Sequence, residues 1–185
     1  MTGPAAARID TERLILEPLA VGHADEMADV LDDPQLHTFI GGAPLSRADL
    51  RARYARLVAG PPADRGEGWL NWVVRQRDDG SLVGTVQATV VRRGDDLEAA
   101  LAWVIGTRWQ GRGLAGEAAR ALVDWFDGHE IPVVAYIHPD HAASAAVARA
   151  AGFVASTEVV EGEIVWRRPP APHGKSGRTT SSSTG

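Results

Sequence analysis

The sequence predicts an α+β domain built on a mixed, mainly antiparallel sheet. Three observations carry that prediction. Three strand-like segments follow one another in mid-chain, with no helical pattern between them. The residues joining them, Asp79-Gly80 and Gly94-Asp95-Asp96, are hairpin signals that make neighbours antiparallel. Helical patterns stand before and after this meander, and a second hairpin closes the chain, so the order is not a repeated βαβ array.

Each element has a local reason. "RLILEPL" reads as a first strand stopped by Pro18. "GHADEMADVLDDP" places Met27, Val30 and Leu31 at helical spacing, with Pro34 as the stop. In "PLSRADLRARYARLVAG", Ser46 is the N-cap, Asp49 lies three residues on, and Leu50, Tyr54 and Leu57 form the apolar stripe. "WLNWVVRQ", "LVGTVQATVV" and "DLEAALAWVIG" are the meander. A glycine loop then opens a helix whose apolar line is Leu114, Ala118, Leu122 and Phe126. "IPVVAYIH" is a buried strand, and "PDHAASAAVARAAGF" is a short helix ended by Gly152. "VASTEVVEGEIVWRR" is a hairpin turning at Glu161-Gly162. These elements define one domain over residues 8–168. The proline-led, polar stretch 169–185 has no apolar periodicity and reads as a disordered tail.

Composition narrows the functional classes. Hydrophobic residues at 44% and charged residues at 23% fit a soluble globular domain. With no cysteine, disulfides, thiolate nucleophiles and thiolate zinc sites are excluded. The N-terminal stretch carries no apolar leader pattern, and no later run approaches a membrane span, so the expectation is a cytoplasmic protein with no membrane partner. The net charge is −5, and Lys175 and Arg178 sit in the acid-free tail, so the body is more negative still. That disfavours nucleic acid as a partner and suits a cationic substrate.

The chemistry-bearing motif is "WQGRGLAGEAARALVDWF". Its GRGLAG matches the dinucleotide spelling G-x-G-x-x-G, but the context does not fit. Four residues separate Gly106 from Gly111, whereas a dinucleotide loop leaves its strand almost directly. The next strand, "VVAYIH", ends without the acid that would hold a ribose, and the preceding strands are antiparallel. A plain helix-opening glycine turn is the other simple reading.

Read from Gln110, the same residues, Gln110-Gly111-Arg112-Gly113-Leu114-Ala115, resemble the Q/R-x-x-G-x-G/A motif of the GNAT N-acetyltransferase superfamily. "DTERLILEPL", "ALAWVIGTRWQGRGLAGEA" and "HAASAAVARAAGF" are similar, in order, to segments of the branch containing the ribosomal-protein N-terminal alanine acetyltransferases. The resemblance implies a GNAT-like sheet with helices on both faces, acetyl-CoA as co-substrate, and direct acetyl transfer to a primary amine. In such a loop, helix N-terminal N–H groups and the positive end of the dipole hold the pyrophosphate.

Site roles follow by the same resemblance. Trp103, Val104 and Ile105 would offer free backbone groups to the pantetheine amides, a β-bulge opening the gap, and one N–H would serve as oxyanion donor. Any buried strand also looks like Trp-Val-Ile. Ser144 would bind the cofactor or protonate the departing thiolate, or it only caps its helix. His141 stands where the family has Asn. The base is open: Ala100 replaces the family's frequent acid. Glu98 is the best remaining carboxylate on that strand face, unless it is a solvated charge, and Tyr136 is a second candidate acid.

A lysine side chain near pKa ~10.4 is only ~0.04% neutral at pH 7, whereas an α-amine near ~7.8 is roughly 10–15% neutral. An N-terminal acceptor therefore asks less of a base. The acceptor, either a peptide N-terminus or a small-molecule amine, would enter a pocket shaped by the early helices (22–58) and the final hairpin. A homodimer stays open. A non-catalytic acyl-CoA-binding module is the rival, favoured by His141 and Ala100, and a dinucleotide oxidoreductase is the other.

Overall fold

A computed structural model describes residues 3–169. Beyond Pro169, the tail assigned from sequence lies outside the described residues. The strands are β1 (Ile9–Asp10), β2 (Leu14–Pro18), β3 (Glu67–Gln76), β4 (Leu82–Arg93), β5 (Asp96–Ile105), β6 (Val133–Ile137), β7 (Val154–Val160) and β8 (Glu163–Arg167). The helices are α1 (Ala24–Leu31), α2 (His37–Ile40), α3 (Arg47–Ala59), α4 (Leu114–Asp127) and α5 (Ala142–Ala150). The strands form one sheet ordered β1-β2-β3-β4-β5-β6-β8-β7. Among the described residues β5–β6 is the parallel pair and the other neighbours are antiparallel. The fold is the expected mixed, mainly antiparallel α+β sheet.

Both faces of the sheet are covered. Consecutive side chains on a strand point to opposite faces, yet Trp72, Val73 and Val74 of β3 are all fully buried. On one face Trp72 packs edge-on against Trp125 of α4, with centroids 5.7 Å apart, and its Nε1–H donates to the Ala7 carbonyl at 2.7 Å. α1 and α3 cover the other face, where Glu26 accepts from the Leu82 N–H at 2.7 Å. Truncating an aromatic as enclosed as Trp72 costs about 3–5 kcal/mol.

Local signals behave as their chemistry dictates. Ser46 Oγ accepts from the Asp49 N–H at 3.2 Å, capping α3. Leu114, Ala118, Leu122 and Phe126 are all buried along α4. Glu161 (φ 51°) and Gly162 (φ 86°) make the left-handed turn that a two-residue hairpin needs. Two features were not legible. The first strand doubles back, because Thr11 Oγ1 and backbone N–H both engage the Leu14 carbonyl and fold β1 onto β2. Pro34 stops α1 but also opens a short 3-10 turn (Pro34–Leu36) that leads directly into α2.

Candidate active site

The site begins where two strands part. β5 pairs with β4 without a break, from Asp96↔Arg93 to Ile105↔Gly84. It pairs with β6 only at Ala99↔Val133 and Ala100↔Val134. Beyond that point β6 stays with β8, through Ile137↔Ile164. The gap therefore comes from the divergence of β6. The expected bulge is absent from the β4–β5 ladder, and the register shifts lie in β3–β4 and β7–β8.

Strand alternation fixes which groups face the gap. The Ala99 N–H donates toward β6, to Pro132, and the Gly106 N–H donates toward β4, to Val83. Trp103 and Ile105 thus turn their backbone groups to the gap, while Val104 belongs to the β4 ladder opposite Thr85. Free backbone at Val104 was expected and is corrected. Ile105 is partly satisfied, since Gln110 Nε2 donates to its carbonyl at 2.9 Å.

The glycine loop follows. Gly111 (φ 71°) and Gly113 (φ 76°) occupy left-handed backbone that a side chain would strain. Gly113 is the N-cap of α4, and the Glu117 N–H makes the first intrahelical bond, to the Gly113 carbonyl at 3.1 Å. The N–H groups of Leu114, Ala115 and Gly116 therefore stand free at the helix start. A brace from the far edge of the sheet fixes the loop. Arg13 Nη1 donates to the Arg112 carbonyl (3.0 Å) and Arg13 Nε to Glu117 Oε2 (2.6 Å). Glu117 Oε1 accepts from Thr11 Oγ1 (2.6 Å) and from the Arg13 N–H (2.9 Å). Partial burial pushes the Glu117 carboxyl up, but these bonds outweigh it and hold the group below its ordinary value. No local signal marks this brace, because its partners lie about a hundred residues apart in the chain.

Loop, gap and α5 enclose a cleft of about 630 Å³. Its walls include Trp103, Val104, Ile105, Gln110, Gly111, Gly113, Leu114, Ala115, His141 and Ser144, which are the predicted cofactor residues with one exception. The Arg112 side chain does not line it. His141 caps α5, its Nδ1 accepting from the Ser144 N–H at 3.0 Å, so a neutral imidazole carries its proton on Nε2. The capping duty thus falls to His141, which leaves the Ser144 hydroxyl free on the cleft wall. Phe39 packs against His141, centroids 4.1 Å apart and ring planes tilted by 54°, and also lines the cleft.

A second cavity, of about 330 Å³, lies on the other side of β5. Trp103 and Val104 line both. Its walls are largely apolar, including Leu19, Leu31, Leu50 and Leu57, with His37, Arg53, Tyr54, Asn71, Thr85 and Gln87 as polar members. The early helices shape it as expected, but the final hairpin does not line it. No acid lines it either. Burial pushes the Tyr54 hydroxyl up to about 12, with Arg53 acting weakly in the opposite direction.

The structure does not bring Glu98 to either cavity. Its carboxylate is held by Arg93 (3.2 Å) and Arg167 (3.3 Å) near the start of β5. At about 3.3 Å per residue it is roughly 16 Å from Trp103. Tyr136 also lines neither cavity.

These features define an acyl-CoA-type transferase site: a splayed strand pair, a pyrophosphate-type loop and a second pocket meeting at one strand. The chain belongs to the acetyltransferase (GNAT) family, whose domain model matches residues 13–154, and its co-substrate is acetyl-CoA. An acetyltransferase from Agrobacterium tumefaciens is similar at 27% identity, over 91% of this chain and 98% of that one, with a TM-score of 0.65. The fold is shared with the ribosomal-protein alpha-N-acetyltransferase RimL in complex with coenzyme A (17% identity, 88% and 97% covered, TM-score 0.72). It is shared too with the microcin self-immunity acetyltransferase MccE in complex with acetyl-CoA and AMP (16%, 85% and 93%, 0.68). A search of curated proteins gave no match. No helix among the described residues is long and apolar enough to cross a membrane.

Proposed function

We propose that the enzyme acetylates a primary amine that enters through the 330 Å³ cavity, with acetyl-CoA bound in the 630 Å³ cleft. The observation that carries this reading is the seam at Trp103–Val104, the stretch of β5 lining both spaces. The cleft suits an extended, amide-bearing, phosphorylated ligand. Outward-facing backbone at Trp103 and Ile105 complements amides, and the free N–H groups of Leu114, Ala115 and Gly116 complement phosphate oxygens. In this assignment Gln110, Gly111, Arg112, Gly113, Leu114 and Ala115 hold the pyrophosphate, Arg112 acting as a nearby charge. His141 donates from Nε2, and the Ser144 hydroxyl hydrogen-bonds the sulfur.

Acetyl-CoA supplies an activated thioester, and the chain supplies position. Holding amine and acyl carbon at one seam turns a bimolecular encounter into an intramolecular one. The backbone N–H of Trp103, facing the gap, is the donor assigned to the oxygen on which charge develops. The acceptor proposed is an amine with an apolar body and no second positive charge. The leucine-rich wall, Arg53 and the missing carboxylate all disfavour a diamine, despite the acidic body of the protein. The compartment proposed from composition is the cytoplasm.

An acceptor screen following acetyl-CoA-dependent thiol release tests this. Phenethylamine and a Leu-Gly dipeptide should be acetylated, and 1,5-diaminopentane should be at least tenfold poorer in kcat/KM. Preference for the diamine would overturn the acceptor assignment. Failure of acetyl-CoA to bind or to protect against unfolding would overturn the assignment of the cleft.

A further inference from the structure

We infer that His37 accepts the proton of the acceptor amine. The inference rests on the acetyltransferase reading above and adds the group which that reading lacks. Among the residues lining the acceptor cavity, three can carry or lose a proton: His37, Arg53 and Tyr54. Arginine does not deprotonate in proteins, and burial keeps the Tyr54 hydroxyl protonated. Histidine is the side chain that exchanges a proton near neutral pH. The carboxylate first considered, Glu98, is neutralised elsewhere by two arginines.

Geometry then fixes which nitrogen acts. His37 opens α2, and its Nδ1 lies 3.1 Å from the Gly41 carbonyl, the residue that ends the same short helix. A carbonyl only accepts, so Nδ1 carries the hydrogen and the neutral ring presents its lone pair on Nε2. That Nε2 is buried and meets no partner among the described residues, and neither does the Tyr54 hydroxyl, whose side chain is 3% exposed. Both residues line the same cavity, and each keeps a buried, unpartnered polar atom, which is costly unless a ligand that enters the space bonds to it. For His37 a primary amine is such a ligand. It donates one N–H to Nε2 and keeps its single lone pair for the acetyl carbon. Asp33, on the turn before α2, is the charged group that acts on the ring, and Arg53 on α3 lines the same cavity.

The step balances. The amine nitrogen forms a bond to the acetyl carbon, the carbon–sulfur bond breaks, and its electron pair leaves on sulfur. One amine proton passes to His37 Nε2 and is returned, through solvent, to the thiolate. Amide and thiol are the products, and His37 ends neutral.

The variant that isolates this role is His37→Asn, whose side-chain amide can keep the bond to the Gly41 carbonyl while removing the Nε2 lone pair. With phenethylamine and saturating acetyl-CoA, kcat should fall about 100-fold, the lower range for a lost general base. The KM for acetyl-CoA should stay unchanged, the acidic limb of the kcat profile should move upward to the ionisation of the amine itself, and added imidazole should restore part of the rate. A kcat within threefold of wild type, or an acidic limb that does not move, overturns the inference while leaving the acetyltransferase reading intact. Wild-type enzyme that binds acetyl-CoA but leaves phenethylamine untouched also overturns it. Wild-type enzyme that neither binds acetyl-CoA nor releases thiol removes the underlying reading. Should His37→Asn not fold, nitrogen NMR of wild type decides. An unprotonated Nε2 that shifts on adding phenethylamine supports the role, and a protonated or unresponsive one overturns it.

Discussion

The two cavities that meet at β5 are built from different materials. The cleft assigned to the cofactor offers much of its polar surface as backbone: strand groups at Trp103 and Ile105, helix-start N–H groups, and glycines at positive φ. The cavity assigned to the acceptor draws its polar side chains from α2, α3, β3 and β4, with β5 as the wall it shares with the cleft. A backbone site needs a particular conformation, and conformation leaves a local mark such as Gly-x-Gly before a helix. A side-chain site needs only that distant residues converge, which leaves no local mark. On the assignment proposed above, the co-substrate side is general and the acceptor side particular.

The largest effect that would break this contrast is predicted at the seam. A Cβ on Gly84 would lie 2.1 Å from the Val104 carbonyl oxygen and 2.8 Å from Ile105 Cδ1. Gly84→Ala should lower stability by about 3 kcal/mol or more, seen as a drop in Tm, because buried backbone cannot yield as a side-chain tip does. An unchanged Tm would mean that β4 and β5 are not so closely joined there.

Next in size is the loop. Gly113→Ala forces a side chain into left-handed backbone at a cost of about 1–2 kcal/mol. Calorimetric affinity for acetyl-CoA should fall about tenfold while kcat at saturation holds. Loss of kcat without loss of affinity would contradict a purely cofactor-holding role.

Much of the first region was legible and little of the second. Three sequence segments in order located β2, β5 with its loop, and α5, since each carries periodic or turn chemistry of its own. Ser144 and His141 both line the cleft, but their division of labour was not readable. In the fold His141 Nδ1 takes the cap and frees the serine hydroxyl. Glu98 was misjudged because strand alternation gives a face but not a neighbour, and Arg93 and Arg167 claim it. His37 carried no signal, because its significance depends on Gly41 fixing its tautomer and on Tyr54 arriving from α3.

The brace behind the loop gives a subtler test. Glu117→Gln removes the ion pair to Arg13 and should cost about 1–2 kcal/mol, with a modest loss of acetyl-CoA affinity. The Glu117 carboxyl is held below its ordinary 4.5, so its stabilisation is fully present above that pH and is lost as pH falls through the folded-state value. Acid unfolding of the variant should lack this component. The smallest effect concerns the acceptor cavity. Gln87→Glu adds a carboxylate to its partly exposed rim, and should raise the diamine-to-monoamine ratio of kcat/KM by about two- to fivefold, salt weakening the shift.

Amide hydrogen exchange with and without acetyl-CoA tests the central claim most directly. The account predicts new protection at Trp103 and Ile105 and across residues 111–116, with Val104 already protected in the free enzyme by its pairing to β4. Protection that leaves these amides unchanged, or that appears instead around the acceptor cavity, would contradict the assignment of the cleft.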